Sequence, residues 1–274
     1  MLTQVIQLEV TTQCNRECPF CLRKYMVKLR GIGDLEPKDV DKVINELNPK
    51  VMTLHGWGEP LLHPNLGVII SRAKCYGIYT SLSTNGDYLT PSKLQEIVVK
   101  GLDELVFGFY SRGHMDNLHR VLSDLKELKK EFSRPRVIID ITLIDGLEDD
   151  ARLIIDEASK IDVVNVVIMH RLFDVYGISD YKRLNQKKER ELIKYAKSVL
   201  RNKHLIPPPP HKLPCITAWM GVFITWRLEV SPCCFLAIPK FFLGRIGSYD
   251  WIEKRKLFFK DTKSLEVCLK CPAP

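Results

Sequence analysis

From residue 5 to residue 202, short β-branched runs alternate with longer amphipathic stretches, and this alternation constrains the fold more than any other feature. Candidate strands are VIQLEV (5–10), VMTLH (51–55), IYTSLS (78–83), ELVFGF (104–109), VIIDITLI (137–144) and VVNVVIM (163–169). Helical patterns lie near 37–47, 65–76, 90–100, 115–132, 148–160 and 187–202. TPSKLQEIVVK shows a well-formed start, with Thr90 as N-cap and Pro91 at the first helical position. Some strands are almost continuously apolar, as parallel strands covered on both faces are. Six βα units in succession predict a parallel α/β fold. Right-handed crossovers then gather the C-terminal strand ends on one rim, where such folds place their sites. A cysteine loop follows the first strand, GWGEP the second and STNG the third.

The 274 residues suffice for one large domain and a small one, and 45% apolar with 27% charged residues is ordinary for a chain with a real core. No apolar run is long enough to span a bilayer, and MLTQVIQLEV lacks the features of a signal peptide, so a reducing cytoplasm is expected. The formal charge of +8 comes from scattered basic residues, often beside acids, which reads as a solvated surface; neither a membrane nor a nucleic acid is an expected partner. LIPPPPHKLP (205–214) cannot continue a helix and should be extended and stiff. The expected division is therefore a core of 1–204, a Pro-rich linker of 205–214 and a tail of 215–274. The tail is too small for a strong core of its own, so a metal staple would help to hold it.

TTQCNRECPFCLRK (11–24) places Cys14, Cys18 and Cys21 in the spacing C-x3-C-x2-C, with Phe20 before the last. Clustered cysteines in a reducing compartment point to metal or cluster ligation rather than disulfides. A zinc site wants four protein ligands, which a distant cysteine such as Cys75 could complete. A [4Fe–4S] cluster on three thiolates instead leaves one iron open. The stretch resembles the signature loop of radical S-adenosylmethionine (SAM) enzymes, C-x3-C-x-φ-C with φ aromatic, and Phe20 stands at φ. That resemblance implies a partial (β/α)6 TIM-like barrel. It also implies that SAM chelates the open iron and is split by one electron. The 5′-deoxyadenosyl radical then removes a hydrogen atom from a substrate carbon, with ferredoxin or flavodoxin as the kind of electron donor.

GWGEP (Gly56, Trp57, Gly58, Glu59, Pro60) resembles that family's G-G-E-P loop, although Trp57 stands where glycine is commoner. Its glycines let backbone approach a ligand, and Glu59 suits the SAM ammonium. In STNG, Ser83 and Asn85 share a strand face and are the candidates for the SAM ribose or carboxylate; an N-G turn ahead of Pro91 is equally compatible. The fourth strand has Gly108 and Tyr110 where relatives often carry a serine and an acid. RGIGD (30–34) lacks the context of a phosphate loop. Cys75 reads as a small buried hydrophobe.

Cys215 and Cys233 bracket GVFITWRLEV, which has the look of a β-hairpin, and Cys268 and Cys271 form a C-x2-C pair. Four thiolates of this kind suit a cluster or a zinc ribbon. The layout resembles the twitch domain, the half-sized form of the SPASM extension, a small α+β segment. It implies one auxiliary [4Fe–4S] cluster on Cys215, Cys233, Cys268 and Cys271. Arg227-Leu228 stands where Asp-Gly is usual, so the hairpin turn should differ. Cys234 could replace Cys233, but on a strand the two would face opposite ways.

For the substrate, Asp140 and Thr142 are the polar members of one strand face, and a charge inside an apolar strand needs a partner. Tyr110 and His170 end their strands. These make Asp140, Tyr110 and His170 the pocket candidates. Two enzymatic readings follow: oxidation of a small alcohol, sugar or aminocyclitol with the auxiliary cluster as electron acceptor, or modification of a peptide or protein side chain. A non-catalytic zinc-binding protein is the reading from another class.

Overall fold

The structure, a computed structural model, describes residues 5–115, 118–128, 130–210 and 212–272. Its regular elements in chain order are β1 (Val5–Leu8), α1 (Arg23–Arg30), α2 (Asp39–Leu47), β2 (Val51–Leu54), α3 (Leu66–Cys75), β3 (Tyr79–Thr84), α4 (Pro91–Val99), β4 (Glu104–Phe109), α5 (Leu118–Leu128) and β5 (Arg136–Leu143). They continue as α6 (Glu148–Lys160), β6 (Val164–Arg171), α7 (Gln186–Val199), β7 (His204–Ile206), α8 (Ile216–Met220), β8 (Gly221–Ile224), β9 (Glu229–Ser231), β10 (Gly244–Arg245), α9 (Trp251–Asp261) and α10 (Glu266–Lys270). The α/β alternation is the expected one. Residues 116, 117 and 129 of the helix expected at 115–132 lie outside the described residues. Thr90 caps α4 by accepting the Lys93 N–H at 3.2 Å, with Pro91 in the first turn. Six elements have no counterpart in the sequence reading: α1, β7, α8, β10, α9 and α10. RKYMVKLR (α1) has no side-chain N-cap and is only eight residues long, and β7 opens the Pro-rich stretch.

The chain divides into two compact units. The first comprises Met1–Leu82, Asp174–Ile178 and Pro210–Pro274. Its strands run in the order β10-β9-β8-β1-β2-β3. β1 is parallel to β2 and also to β8, with Val5 opposite both Val51 and Gly221. The tail therefore does not build a core apart. Its hairpin of β8 and β9 completes the free side of β1, which satisfies backbone groups that an edge strand would leave open. Ile6, Leu8, Met52, Leu54, Ile69 and Ile70 are fully buried around these strands. At the hairpin turn Leu228 takes φ 70°, the left-handed conformation that glycine usually supplies, and the Arg227 guanidinium lies 4.5 Å over the Trp226 ring. A left-handed residue with a Cβ costs on the order of 1 kcal/mol, and burial of the Leu228 side chain offsets it. RGIGD lies along the cysteine loop, with Thr12 N–H donating to Gly33 O and Leu35 N–H to Val10 O.

The second unit comprises Ser83–Phe173 and Ser179–Pro209, with β4, β5, β6 and β7 parallel in that order. On β5 the buried residues Val137, Ile139, Ile141 and Leu143 form one face. The other face begins apolar, where Ile138 meets Val106 and Val166, and ends polar at Asp140 and Thr142. Among the described residues, no helix is long and apolar enough to cross a membrane.

Candidate functional site

β1 ends at Leu8, and the chain then runs through Glu9–Thr12 into the loop that carries Cys14, Cys18 and Cys21, all half-buried. Cys21 N–H donates to Cys18 O at 3.0 Å, Arg16 N–H points at Cys14 Sγ at 3.4 Å, and Arg23 Nε ties the loop down on Thr12 O at 2.7 Å. Burial pushes the Cys21 thiol up to about 11, with Cys18 and Cys14 adding to the rise. Burial also raises Cys14, and the carboxylate of Glu59 contributes to that shift. Cys18 thus lies close enough to oppose the ionisation of both Cys14 and Cys21, the condition that a bound cationic centre relieves. Phe20 is half-buried in the turn before Cys21.

GWGEP is fastened directly to this loop. Glu59 N–H donates to Gln13 O at 2.7 Å. A Cβ on Gly58 would lie 2.3 Å from Thr11 O, and one on Gly56 would lie 2.5 Å from Glu9 Cγ, so close approach requires both glycines. Glu59 is buried, and its Oε1 accepts the Leu61 N–H at 3.0 Å, capping the turn at Pro60–Leu62.

Two residues that the sequence reading did not single out lie beneath this loop. Glu9 is fully buried and pairs with both terminal nitrogens of Arg30 on α1, at 2.5 and 2.9 Å. Its Oε1 also accepts the Trp57 N–H at 3.2 Å. The signal for it was present, since a carboxylate in the apolar run VIQLEV needs a partner.

Trp57 reaches the tail. Its indole N–H donates to Cys234 O at 3.0 Å, and its ring meets Phe235 edge-on at 6.0 Å. Tyr176 donates to Phe235 O at 2.6 Å and packs on Tyr25 of α1 at 4.8 Å. Around them Leu22, Met26, Val175 and Ile238 form a buried cluster.

The tail cysteines come together. Cys215, Cys233, Cys234, Cys268 and Cys271 all line one mainly apolar cavity of about 160 Å³. The expectation that Cys233 and Cys234 face opposite ways fails, because β9 ends at Ser231 and a 3-10 turn begins at Cys234. Burial raises Cys234 to about 12 and Cys268 to about 11, and Cys271 adds to both shifts. No disulfide joins cysteines among the described residues. No three described His, Cys, Asp or Glu side chains meet as a ready single-ion site. Cys75 is exposed at the end of α3, not buried.

The remaining candidates lie in the second unit. Ser83 and Asn85 are half-buried at the end of β3, where Asn85 Oδ1 accepts the Asp87 N–H at 3.0 Å in the expected turn. Tyr110 is half-buried just after β4. Asp140 and His170 are brought together: Asp140 Oδ1 lies 2.6 Å from His170 Nδ1.

A model of the Radical SAM superfamily matches residues 8–158. The chain is 29% identical over 111 residues to the S-adenosyl-L-methionine-dependent 2-deoxy-scyllo-inosamine dehydrogenase of Niallia circulans, covering 38% of this chain and 44% of that protein. It is 27% identical over 175 residues to the PqqA peptide cyclase of Bradyrhizobium diazoefficiens, covering 59% and 46%. The matched stretches thus span less than half of either relative. Among solved structures, BtrN in complex with AdoMet and 2-DOIA aligns with TM-score 0.65 at 20% identity, covering 99% of this chain and 93% of that one. Streptococcus suis SuiB bound to precursor peptide SuiA aligns with TM-score 0.76 at 12% identity, covering 99% and 70%. At these identities the likeness is one of fold.

Proposed function

The chain belongs to the radical SAM superfamily, and from that premise we propose an oxidoreductase-type enzyme that cleaves SAM reductively and abstracts a hydrogen atom from a carbon of a small alcohol, sugar or aminocyclitol. Cys14, Cys18 and Cys21 would hold a [4Fe–4S] cluster with one iron open to SAM. The donor set fits: three half-buried free cysteines in one loop. When bound, the cluster and SAM supply a radical able to take hydrogen from an unactivated carbon.

The chain's own residues bind and orient. Gly56, Trp57 and Gly58 bring backbone against the cysteine loop, and Phe20 flanks it. The negative charge of Glu59 suits the SAM ammonium, and Ser83 with Asn85 complete the cofactor-binding set. Residues 215–274, joined to the core of 1–204 by 205–214, are the twitch-like segment. Cys215, Cys268 and Cys271, with Cys233 or Cys234, would hold one auxiliary [4Fe–4S] cluster. These five cysteines line one cavity of about 160 Å³, and four of them would supply the thiolates that such a cluster takes. Asp140, Tyr110 and His170 face the substrate. Ferredoxin or flavodoxin is the kind of reductant required, and cysteines of this sort suit the cytoplasm.

The attachment of GWGEP to the three-cysteine loop carries the enzyme class. The alcohol reading draws on the similarity to the inosamine dehydrogenase and on the likeness of fold to BtrN in complex with AdoMet and 2-DOIA. A second reading, a peptide or protein maturase, is favoured by the higher TM-score with SuiB and the similarity to the PqqA cyclase. The test is anaerobic reconstitution, reduction and addition of SAM. Formation of 5′-deoxyadenosine, with deuterium acquired from labelled 2-deoxy-scyllo-inosamine, is expected. Label arriving only from a peptide would favour the second reading. A fully loaded protein that never cleaves SAM, with zinc in its tail, would overturn both.

A further inference from the structure

Three side chains in the second unit form a continuous polar line. Asp140 and Thr142 lie on one face of β5, and His170 stands opposite Thr142 on β6. Asp140 Oδ1 is 2.6 Å from His170 Nδ1, and Thr142 Oγ1 is 3.0 Å from His170 Nε2. The carboxylate cannot donate, so Nδ1 carries a proton toward it. In the neutral ring Nε2 is then an acceptor, and the Thr142 hydroxyl donates to it. Hydroxyl, imidazole and carboxylate in this order make a proton-withdrawing line, the logic by which a hydroxyl is deprotonated in triad enzymes.

The surroundings leave room for a ligand at this end. Lower on the same face, Val106, Ile138 and Val166 are buried with Ile168 beside them. At the polar end, Gly108 on β4 pairs with Asp140, and nothing lies within 4 Å of where its Cβ would stand. Asp140 and His170 each keep 24% of their side-chain surface exposed. The polar line therefore borders open space that a side chain at position 108 would otherwise occupy.

We propose that Thr142, His170 and Asp140 form a proton relay that takes the hydroxyl proton of an alcohol substrate as its carbon is oxidised to a carbonyl. The inference rests on the alcohol-oxidising reading above. The hydrogen atom on carbon leaves with the deoxyadenosyl radical as 5′-deoxyadenosine. The hydroxyalkyl radical that remains gives its O–H proton to Thr142 Oγ1 while the Thr142 proton passes to His170 Nε2. One electron goes to an acceptor of the iron–sulfur class, and the C=O bond is complete. Asp140 holds the ring in the required tautomer and stabilises the imidazolium.

Two measurements test the relay. The first needs no substrate: long-range 15N–1H correlation spectra of the whole protein, comparing wild type, Asp140→Asn and Thr142→Val. At a pH above the folded pKa of His170, a neutral ring with its proton on Nδ1 in wild type, changing to a tautomer mixture in Asp140→Asn, is expected. A neutral ring protonated on Nε2 in wild type would overturn the relay, because Thr142 would have no acceptor. The second uses 2-deoxy-scyllo-inosamine as probe and counts oxidised product per 5′-deoxyadenosine. In His170→Gln and Thr142→Val, deoxyadenosine should still form while that ratio falls about tenfold or more, and Thr142→Ser should restore it. Ratios unchanged from wild type in both variants would overturn the relay while leaving the enzyme class intact. If wild type forms no deoxyadenosine with the probe, the alcohol reading fails, and the tautomer measurement alone judges the line.

Discussion

The indole N–H of Trp57 donates to the carbonyl of Cys234 at 3.0 Å, joining the loop after β2 to the turn that carries two tail cysteines. The residue that departs from the family's glycine pattern is thus a strut between the loop beside the first cysteine set and the wall of the second cavity. Trp57→Phe should remove the hydrogen bond alone and cost about 1 kcal/mol. Trp57→Gly should also empty space beside Phe235 and Ile238 and cost about 3 kcal/mol. Denaturant unfolding gives both values. The glycine variant should also lose tail iron faster under a chelator, and equal retention in all three proteins would contradict the strut.

The Glu9–Arg30 pair is buried, with Arg30 only 6% exposed. Glu9→Gln leaves a buried guanidinium without its counter-charge and should cost about 3–5 kcal/mol. Glu9→Leu with Arg30→Met should cost less than that single change, since no charge is stranded. Because Glu9 also holds the Trp57 N–H, the single variant should loosen GWGEP as well. Unfolding curves for Glu9→Leu, Arg30→Met and the double give the coupling. A double variant worse than either single would contradict the account.

Periodicity made the α/β alternation legible, since burial on one helix face or both strand faces leaves a local pattern. What a local pattern cannot hold is the choice of distant partners. Val5 pairs with Gly221 because β1 has an open side, and nothing near either residue records the other. Adjacent cysteines after LEVSP suit strand neighbours facing apart, but the strand stops at Ser231, and both line the cavity. Glu9 and Asp140 carried the same signal, a carboxylate in an apolar run. The strand face pointed to Asp140 but not to Arg30 as the partner of Glu9, which lies in a helix too short and polar to announce itself.

The two glycines of GWGEP should differ in sensitivity. At Gly58 the obstacle to a Cβ is the backbone of Thr11 and Gln13, whereas at Gly56 it is the side chain of Glu9. Backbone cannot turn away, so Gly58→Ala should displace the loop from the cysteines and cost about 2–3 kcal/mol or more. Gly56→Ala should cost less, as Glu9 shifts at some expense to its bond with Arg30. Thermal unfolding of the two variants, with SAM binding to the reconstituted protein, measures the difference. A Gly58→Ala protein as stable as wild type would contradict the close approach.

Because Cys233 and Cys234 share one cavity, either can complete a ligand set with Cys215, Cys268 and Cys271. Cys233→Ser and Cys234→Ser should therefore each keep about eight iron atoms per chain after reconstitution. The double variant should fall to about four, as should Cys268→Ser. Iron and sulfide analysis reads this directly. Loss of tail iron in one single variant but not the other would assign the ligand uniquely and contradict interchangeability.

The pH dependence follows from the environment of His170. Burial pulls its pKa down, but Asp140 pulls it up by charge and hydrogen bond, and the net shift is above the ordinary 6.5. Asp140 on β5 is the charged group that faces it; Thr142 on the same strand and Phe173 after β6 are its uncharged neighbours. A raised pKa means that the pairing stabilises the fold fully below pH 6.5 and loses this contribution as pH rises through the folded value. Proton uptake from substrate has the opposite requirement, a neutral ring. Oxidised product per 5′-deoxyadenosine should therefore rise with pH through a value above 6.5. Asp140→Asn removes the charge that raises the pKa, so its limb should move to lower pH while the plateau drops. His170→Gln should flatten the limb. A pH profile of wild type and the two variants, taken by the product ratio rather than the overall rate, separates the proton step from the cleavage of SAM. A limb unchanged in both variants would remove His170 from the proton path.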